Sequence, residues 1–434
     1  MILDAVYLLV AMLALPWVAW RKLSGGRPVA APWRRFTGRI GPLAAEGDRP
    51  RVWLHGVSVG EVNLLHRLAE EIRRVDSGIA CVVSSSTTTG LELATARFGK
   101  DRAFPCPLDF SWAVKRAIDQ VQPDLIVLGE LELWPNLLGI AHARGIPVVV
   151  ANGRMSDRSF RGYRRLGGVA RRMLSRLDVV LARSEEDATR FRSLGARSVE
   201  VTGSMKFDGV AGDRKATSVR DLATLAGLGD APVFVAGSTQ APEELLSLEA
   251  FLAASREHPR LRLLIVPRHV ERSAEVAGLL EAKGVRWQKR SRLEADGADP
   301  QARVLLVDTT GELSRWWGTA TLAFVGGSLD GKRGGQNMLE PAAYGVPLCF
   351  GPHTWNFREE VAMLLAAGGA EVVHDGRELE AFVQRAVADR SWSDSLASAA
   401  RSLVEANRGA VRRTAERVVD RLRQPSPPDG RRRA

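Results

Sequence analysis

The stretch WLHGVSVGEV, residues 53–62, places one carboxylate, Glu61, after an apolar strand-like run and at the start of a helical pattern. Two roles fit a carboxylate in this position. Ser58 and Glu61 have the S-x-x-E spacing of a capping box, in which the two side chains satisfy backbone N–H groups at a helix start. If the same carboxylate faced a cleft, it would take a proton from a substrate hydroxyl as a general base. The motif alone leaves both roles open.

The segments around this motif alternate between short apolar runs and helix-period patterns. Such alternation is typical of a doubly wound parallel sheet, in which helices cover both faces. The predicted strands are 51–57, 79–85, 124–128, 146–151, 178–182 and 199–202 in the first half, and 231–237, 261–267, 302–308, 321–327, 346–351 and 370–374 in the second. From 376 to 422 the pattern is helical only.

A chain of 434 residues exceeds what a single hydrophobic core usually supports, so two domains are expected. A polar linker over 210–230 separates the two runs of strands. We therefore predict an α/β protein with two Rossmann-like, doubly wound parallel-sheet domains. The expected divisions are a membrane-anchor helix at 1–22, a first domain at 23–210, a second domain at 211–423 and a disordered tail at 424–434.

Polar motifs follow most of the predicted strands. In parallel sheets of this kind, ligands bind beyond the carboxyl ends of the strands. The motifs are GVSVGE, SSTTTG, GELELWP and GSMKFD in the first half, and GSTQAPEE, PRHVERS, DTTGEL, GGSLDGKRGGQNMLEP and GPHTWNFRE in the second. We expect these motifs to line a cleft between the two domains that holds a polar, anionic ligand.

A glycine-rich segment in the second half could bind phosphate. Residues 326–333 nearly match a Walker A loop, but Arg333 stands where a magnesium-binding Ser or Thr is required, so we do not predict a P-loop. Gly334 and Gly335 precede a helix that we expect to begin near Gln336, with its backbone N–H groups directed at a phosphate. Glu340, about one turn further, would either bind a ribose diol or complement the helix dipole.

Two residues after the predicted strand 261–267 are further candidates. Arg268 would form a forked contact with a phosphate or carboxylate, or it is an ordinary surface arginine. His269 would act as an acid or base, or it is a structural hydrogen-bonding group. The first strand is not followed by a G-x-G-x-x-G fingerprint, which argues against NAD or FAD as a ligand.

The composition limits the classes of partner and the cellular compartment that we expect for this protein. A formal charge of +11 fits an acidic partner, such as nucleic acid, an anionic membrane or a phosphorylated substrate. The three cysteines, Cys81, Cys106 and Cys349, have no metal-ligand or disulfide spacing, and the seven histidines form no H-x-x-x-H pair. We therefore expect a reducing compartment and no metal site.

The N-terminal run Ala5 to Trp20 is uninterrupted apolar sequence followed by several Lys and Arg residues. The run is slightly short for the roughly 30 Å hydrocarbon core, so it either spans the bilayer barely or lies shallowly in it. A buried core helix is the alternative. The acidic Asp4 and the lack of a clear A-x-A site argue against a cleavable signal peptide. By the positive-inside rule we expect the body of the protein on the cytoplasmic side.

The ordered motifs GVSVGE, ELELWP, ANGRMSDRSFRGYRRL, MKFD, VPRHVER, DTTGEL, GGSLDGKRGGQNMLEP and GPHTWNFRE carry a family resemblance. The chain resembles the 3-deoxy-D-manno-octulosonic acid (Kdo) transferases of lipopolysaccharide synthesis from its N-terminus to about residue 365. The resemblance implies the GT-B glycosyltransferase arrangement and a membrane-bound N-terminus. It also implies inverting transfer of Kdo from CMP-Kdo to the lipid A precursor, without a metal and without any cofactor besides the donor substrate.

The resemblance also assigns roles to individual residues. Glu61 resembles the family's catalytic base, and Glu130 and Lys206 resemble residues that stabilise the transition state. The segments that resemble CMP-contacting residues are Arg268 and His269; Gly311, Glu312 and Leu313; and Asn337, Met338, Leu339 and Glu340. Two departures occur: Gln336 replaces a histidine of the family's GGHN, and LGEL at 128–131 stands where the family often has MET.

The resemblance gives the basic stretch 154–177 a candidate partner. We expect it to contact the phosphorylated lipid A precursor or anionic inner-membrane lipid, with a solvated basic face as the alternative. No nucleic-acid motif is present and aromatic residues are sparse among these arginines, so we do not expect nucleic acid as a partner. The alternatives for function are a GT-B enzyme or epimerase that uses a uridine sugar, and a non-catalytic membrane scaffold that binds nucleotide sugars.

Overall fold

The computed structural model describes residues 3–9, 12–13, 31–45, 47–210 and 212–424. The chain divides into two compact units. The first consists of Met1–Gly209 together with Arg408–Ala434, and the second of Val210–Asn407. Each unit is an α/β structure around one parallel sheet, as the sequence predicted.

The first unit contains a seven-stranded parallel sheet with the order β3-β2-β1-β4-β5-β6-β7. Its strands are β1 (Arg51–Gly56), β2 (Ala80–Ser85), β3 (Ala103–Pro105), β4 (Leu125–Gly129), β5 (Val148–Gly153), β6 (Val179–Ala182) and β7 (Val199–Val201). The strand order reverses between β1 and β4, which pair in parallel from Val52 with Leu125 to His55 with Leu128. A reversal of this kind opens a crevice beyond the carboxyl ends of the two strands, where ligands of such folds bind.

Helices cover both faces of this sheet. They are α1 (Pro32–Thr37), α2 (Val59–Val75), α3 (Thr88–Phe98), α4 (Ser111–Val121), α5 (Pro135–Ala143), α6 (Asp157–Leu166), α7 (Gly168–Leu174) and α8 (Glu185–Ser193). Successive residues of a strand point to opposite faces. Accordingly, Val52 and Leu54 pack in the core beneath α2, and Trp53 packs in the core on the other face.

The second unit also has a seven-stranded parallel sheet, with the order β10-β11-β9-β8-β12-β13-β14. Its strands are β8 (Val233–Thr239), β9 (Arg262–Pro267), β10 (Trp287–Lys289), β11 (Val304–Leu306), β12 (Leu322–Val325), β13 (Leu348–Phe350) and β14 (Glu371–Val372). Its helices are α9 (Thr217–Leu225), α10 (Glu243–Ala254), α11 (Ser273–Ala282), α12 (Leu293–Asp296), α13 (Leu313–Trp316), α14 (Leu339–Ala343), α15 (Arg358–Ala366), α16 (Gly376–Ala388) and α17 (Arg390–Asn407). Its strand order reverses between β8 and β12.

The last helix, α18 (Ala410–Arg423), corrects the predicted end of the second domain. The sequence placed residues 211–423 in one domain, but α18 belongs to the first unit. Its apolar face, which includes Val411 and Val418, is buried in the same core as Leu65 of α2. Asp208 fixes the start of this helix, since its carboxylate accepts hydrogen bonds from the N–H groups of Gly409 and Val411. The predicted tail lies outside the described residues except for Gln424.

The predicted membrane anchor also lies largely outside the described residues. Residues 3–9 are helical and contact the first unit. There, Asp4 accepts a hydrogen bond of 2.7 Å from the N–H of Ser111, and the Tyr7 hydroxyl donates one of 3.0 Å to Asp109. Within the part of the chain that the structure describes, no helix combines the length and apolarity needed to cross a bilayer.

Candidate active site and nucleotide site

Glu61 is held at the carboxyl end of β1 by three hydrogen bonds. The backbone N–H of Glu61 donates to Ser58 Oγ over 3.3 Å, and the Ser58 hydroxyl donates to Glu61 Oε1 over 2.8 Å. Glu61 Oε2 accepts a hydrogen bond of 2.8 Å from the N–H of Val57. The predicted helix cap is therefore confirmed, with Glu61 reaching one residue further back than in the usual capping box. This cap also fixes the half-buried carboxylate at the strand edge.

Two glycines leave room for this carboxylate. A Cβ atom at Gly129, the last residue of β4, would lie 3.7 Å from Glu61 Oε2 and 3.2 Å from the carbonyl oxygen of His55. A Cβ atom at Gly56 would lie 3.0 Å from the Cβ of Glu61. The Glu61 carboxylate therefore lies at the point where the strand order reverses, between the ends of β1 and β4.

Glu130 lies directly after β4 with a φ of 53°, in the left-handed region that side-chain-bearing residues rarely adopt. Its N–H donates to the carbonyl oxygen of Ala151 over 2.9 Å, which fixes it beside β5. Burial raises the pKa of Glu130, and the negative charge of Glu61 raises it further, whereas Lys206, Arg183 and Arg154 act in the opposite direction. The structure thus brings the other two predicted catalytic residues, Glu61 and Lys206, within electrostatic range of Glu130.

A third carboxylate, Glu132, belongs to this cluster and was missed by the sequence analysis. Burial raises the pKa of Glu132 to about 7. The negative charges of Glu61 and Glu130 also raise this pKa, whereas a hydrogen bond from Trp134 lowers it. The ELEL motif could have drawn attention to it, because it contains two acids at a strand end. A carboxyl group with a pKa near 7 is typical of functional sites.

Glu132 gives the protein a testable dependence on pH. Because its pKa is higher in the folded protein than in the unfolded chain, folding retains the proton, and stability falls as pH rises through about 7. We expect Glu132→Gln to match the wild-type thermal midpoint near pH 4 and to exceed it at pH 8. Thermal unfolding of both proteins from pH 4 to 8 measures this difference. Parallel pH curves for the two proteins would contradict the assignment.

In the second unit, Arg268 and His269 lie exposed after β9. The N–H of Arg268 donates to the carbonyl oxygen of Thr239 over 2.9 Å, which holds the segment beside the end of β8. Gly311 is also exposed, with a φ of 80°, and Leu313 is half-buried at the start of α13.

The carboxylate of Glu312 is committed to the protein itself. It forms a bidentate ion pair with Arg290, with N–O distances of 2.9 and 2.8 Å. It also accepts a hydrogen bond of 2.6 Å from the Thr309 hydroxyl. These hydrogen bonds hold the pKa of Glu312 below its ordinary value, although burial, the largest single influence, raises it. The side chain therefore orders the loop after β11, and the contact of Glu312 with CMP stays a prediction.

The segment from Asn337 to Glu340 combines core residues with half-buried polar residues. The side chains of Met338 and Leu339 are fully buried in the core, and the contact of these two residues with CMP stays a prediction. Asn337 and Glu340 are half-buried and hydrogen-bonded to each other over 3.1 Å. Asn337 also accepts a hydrogen bond of 3.2 Å from the N–H of Leu339.

The helix expected to begin near Gln336 begins at Leu339 and contains five residues. Gly334 and Gly335 have φ values of 80° and 77°, which are incompatible with a right-handed helix. The N–H of Gly335 donates to the carbonyl oxygen of Gly327 over 2.8 Å, so it does not point at a ligand. The predicted helix start near Gln336 is therefore wrong, and phosphate binding by this segment stays a prediction.

A buried carboxylate occupies the point where the second strand order reverses. Glu243, 1% exposed, accepts hydrogen bonds from the backbone N–H groups of Gly327, Ser328 and Leu329 after β12, and of Gln240 after β8. The donor–acceptor distances lie between 2.7 and 3.0 Å. The Glu243 carboxylate therefore accepts hydrogen bonds from the N–H groups that a P-loop would donate to a phosphate. This agrees with the prediction that residues 326–333 do not form a Walker A loop.

No cluster of three or more His, Cys, Asp or Glu side chains within the described ranges is arranged to hold a metal ion. The chemistry-bearing groups of the first unit are instead the three carboxylates and the cations beside them.

The UDP-GlcNAc 2-epimerase from Neisseria meningitidis, solved with UDP-GlcNAc bound, has the same fold at 12% identity. That match has a TM-score of 0.55 and covers 86% of this chain and 99% of the epimerase.

Two α/β units with acids and cations at their strand ends fit a glycosyltransferase, and the family comparisons show that class. The family model described as 3-Deoxy-D-manno-octulosonic-acid transferase (kdotransferase) matches residues 34–209. The chain is 33% identical to the 3-deoxy-D-manno-octulosonic acid transferase of Bordetella pertussis, over 93% of this chain and 95% of that protein. It is 35% identical to the Haemophilus influenzae transferase, over 83% and 85% of the two chains. The chain therefore belongs to the Kdo transferase family, which confirms the resemblance found in the sequence.

Proposed function

We propose that this chain transfers Kdo from CMP-Kdo to a hydroxyl group of the phosphorylated lipid A precursor, with inversion at the anomeric carbon. The observation that carries the proposal is the fixed Glu61 carboxylate beside Glu130, with Lys206 within electrostatic range of Glu130. These groups match what the reaction requires. The incoming hydroxyl must lose a proton, the sugar gains positive charge as its bond to CMP breaks, and the leaving phosphate gains negative charge.

In the proposed mechanism Glu61 accepts the proton from the acceptor hydroxyl. Its two hydrogen bonds from Val57 and Ser58 keep the carboxylate in one orientation, and such positioning lowers the entropic part of the barrier. Glu130 stabilises the positive charge that develops on the sugar, a role that carboxylates have in glycoside chemistry. Fixed charges aimed at a developing charge commonly supply the largest catalytic contribution.

The cations complete this assignment. Lys206 would meet the donor's negative charge in the first unit, and exposed Arg268 would meet the CMP phosphate in the second. We assign the CMP contacts of the second unit to three segments: Arg268 and His269, residues 311–313, and residues 337–340. We propose no metal or cofactor in the transfer step beyond the donor substrate.

We further propose that the protein acts at the cytoplasmic face of the inner membrane, attached by one N-terminal anchor. Helix α6 supports this proposal, because its arginines 158, 161, 164 and 165 are exposed. Leu166 and Val169 beside them are also exposed, at 54% and 60%. A basic surface with apolar side chains suits anionic lipid headgroups and a phosphorylated lipid acceptor.

The proposed function is tested by incubating the purified protein with CMP-Kdo and a phosphorylated, tetraacylated disaccharide acceptor. We expect mass spectrometry to show the acceptor heavier by one or more Kdo units. Thermal unfolding with a nucleotide panel separates the alternatives, since stabilisation by UMP but not CMP would favour a uridine-sugar enzyme. CMP binding without any product would favour the non-catalytic scaffold.

A further inference from the structure

Asn152, at the carboxyl end of β5, has a buried side-chain donor without a hydrogen-bond acceptor among the described residues. The side chain is 1% exposed, and its φ is 55°. Its Oδ1 accepts a hydrogen bond of 3.0 Å from the N–H of Met205, which fixes the orientation of the amide. The opposite atom, Nδ2, is buried and has no hydrogen-bond partner among the described residues. Buried amide donors are nearly always paired in folded proteins, so this one indicates a ligand atom.

A second unmet donor lies next to it along the chain. Ser204 Oγ is also buried and has no hydrogen-bond partner in the part of the chain that the structure describes. Ser204 directly precedes Met205, whose N–H is bonded to Asn152, so the two residues lie at the same strand end. An amide N–H and a hydroxyl can both donate to one oxygen-bearing group.

Positive charge converges on the same cluster. Lys206 follows Met205, and Arg183 is tied to the end of β5 because its N–H donates to the carbonyl oxygen of Gly153 over 3.2 Å. Lys206, Arg183 and Arg154 all act on the pKa of Glu130 in the direction expected of nearby cations. The Arg183 side chain also pairs with Asp187 over 3.3 Å. The three cations therefore share this strand end with the carboxylates of Glu61, Glu130, Glu132 and Asp187.

We propose that Asn152, Ser204 and Lys206, supported by the charge of Arg183 and Arg154, form a subsite for an oxyanion of a substrate. The subsite takes a carboxylate or a phosphate, because both offer several acceptor oxygens and a negative charge. This inference rests on the proposed function and deepens it. Two substrate groups have this chemistry: the carboxylate of the acid sugar on the donor and a phosphate of the acceptor.

Asn152→Asp is the sharpest test of the subsite. The substitution retains Oδ1 as the acceptor for the N–H of Met205, but it replaces the unmet donor with a negatively charged oxygen. Ser204→Ala removes the second donor and leaves the backbone unchanged. Ser193→Ala is the matched control, since its hydroxyl is exposed at the end of α8 and donates to the local carbonyl oxygen of Arg190.

Steady-state transfer kinetics identify which substrate group binds. We expect Asn152→Asp to raise one KM at least about tenfold and Ser204→Ala to raise the same KM several-fold, by loss of charge-assisted hydrogen bonds. A rise in the acceptor KM, absent with an acceptor that lacks phosphate, assigns the phosphate. A rise in the donor KM assigns the carboxylate. Unchanged KM values for both substrates in both variants would overturn the subsite.

A binding measurement keeps this test separate from the proposed function. Inorganic phosphate and free Kdo are added to the wild-type protein and the variants, and thermal unfolding reports binding without turnover. We expect at least one of the two probes to raise the wild-type midpoint more than that of Asn152→Asp or Ser204→Ala. Equal shifts for all proteins with both probes would overturn the subsite even if transfer is normal. If wild type binds a probe selectively but transfers no Kdo, the proposed function fails and the subsite stands.

Discussion

Glu61→Gln is expected to lower kcat for Kdo transfer by about 10²–10⁴-fold, the range that general-base catalysis contributes. The glutamine side chain retains an oxygen that can accept the hydrogen bond from the N–H of Val57, but it cannot take a proton from the acceptor hydroxyl. Binding of CMP should be unchanged, because the CMP-contacting residues we assign belong to the second unit. Initial-rate assays and calorimetric titration with CMP measure the two quantities.

Ser58→Ala is the matched control for this prediction. It removes the hydroxyl that caps α2 and bonds Glu61 Oε1, so we expect a loss of about 1 kcal/mol in stability, typical of a lost N-cap. Because the carboxylate of Glu61 remains, kcat should fall less than about tenfold, well short of a lost base. If Glu61→Gln retained near-normal kcat, Glu61 would have the capping role alone.

Glu243→Ala is expected to lower the free energy of unfolding of the second unit by about 3–5 kcal/mol, because three buried N–H groups and one half-buried N–H group lose their acceptor. Burial raises the pKa of Glu243, whereas the hydrogen bonds from Gly327, Ser328 and Leu329 lower it. These hydrogen bonds therefore stabilise the charged form of the Glu243 carboxylate. Hydrogen exchange at residues 326–329 measures the loss locally, and urea unfolding measures it for the unit.

Glu249→Ala provides the comparison on the same helix. Glu249 lies on the outer side of α10, is 46% exposed and pairs with Lys283 over 2.8 Å. Surface ion pairs contribute little, so a change below about 1 kcal/mol is expected. Equal destabilisation by the two substitutions would mean that Glu243 does not organise the loop after β12.

The central strands were predictable because each is an uninterrupted apolar run. All predicted strands are present, but the sequence missed β3 and β10, which lie at the edges of the two sheets. Each has three residues, and β10, WQK, is only half-buried. Edge strands this short need no continuous apolar run, so the strand pattern does not reveal them. The return of α18 to the first unit was also missed, because an amphipathic helix does not indicate which core it covers.

The site was predictable where a local motif defines it. The S-x-x-E spacing located Glu61, and the same hydrogen bonds that make the cap hold the proposed base. Contacts between residues distant in the sequence could not be predicted in this way. Glu312 is bound by Arg290, 22 residues away, and the amide of Asn152 is oriented by Met205, 53 residues away. The start of α14 was misplaced for the same reason, since Gly335 bonds across the loop to Gly327.

The anomeric configuration of the product is the measurement that most directly tests a single displacement assisted by Glu61. NMR of the new linkage, formed on a defined acceptor, compares its configuration with that of CMP-Kdo. One base acting on the incoming hydroxyl predicts the opposite configuration in the product. A product with the donor's own configuration would require two displacements through another group, and would contradict the role proposed here for Glu61.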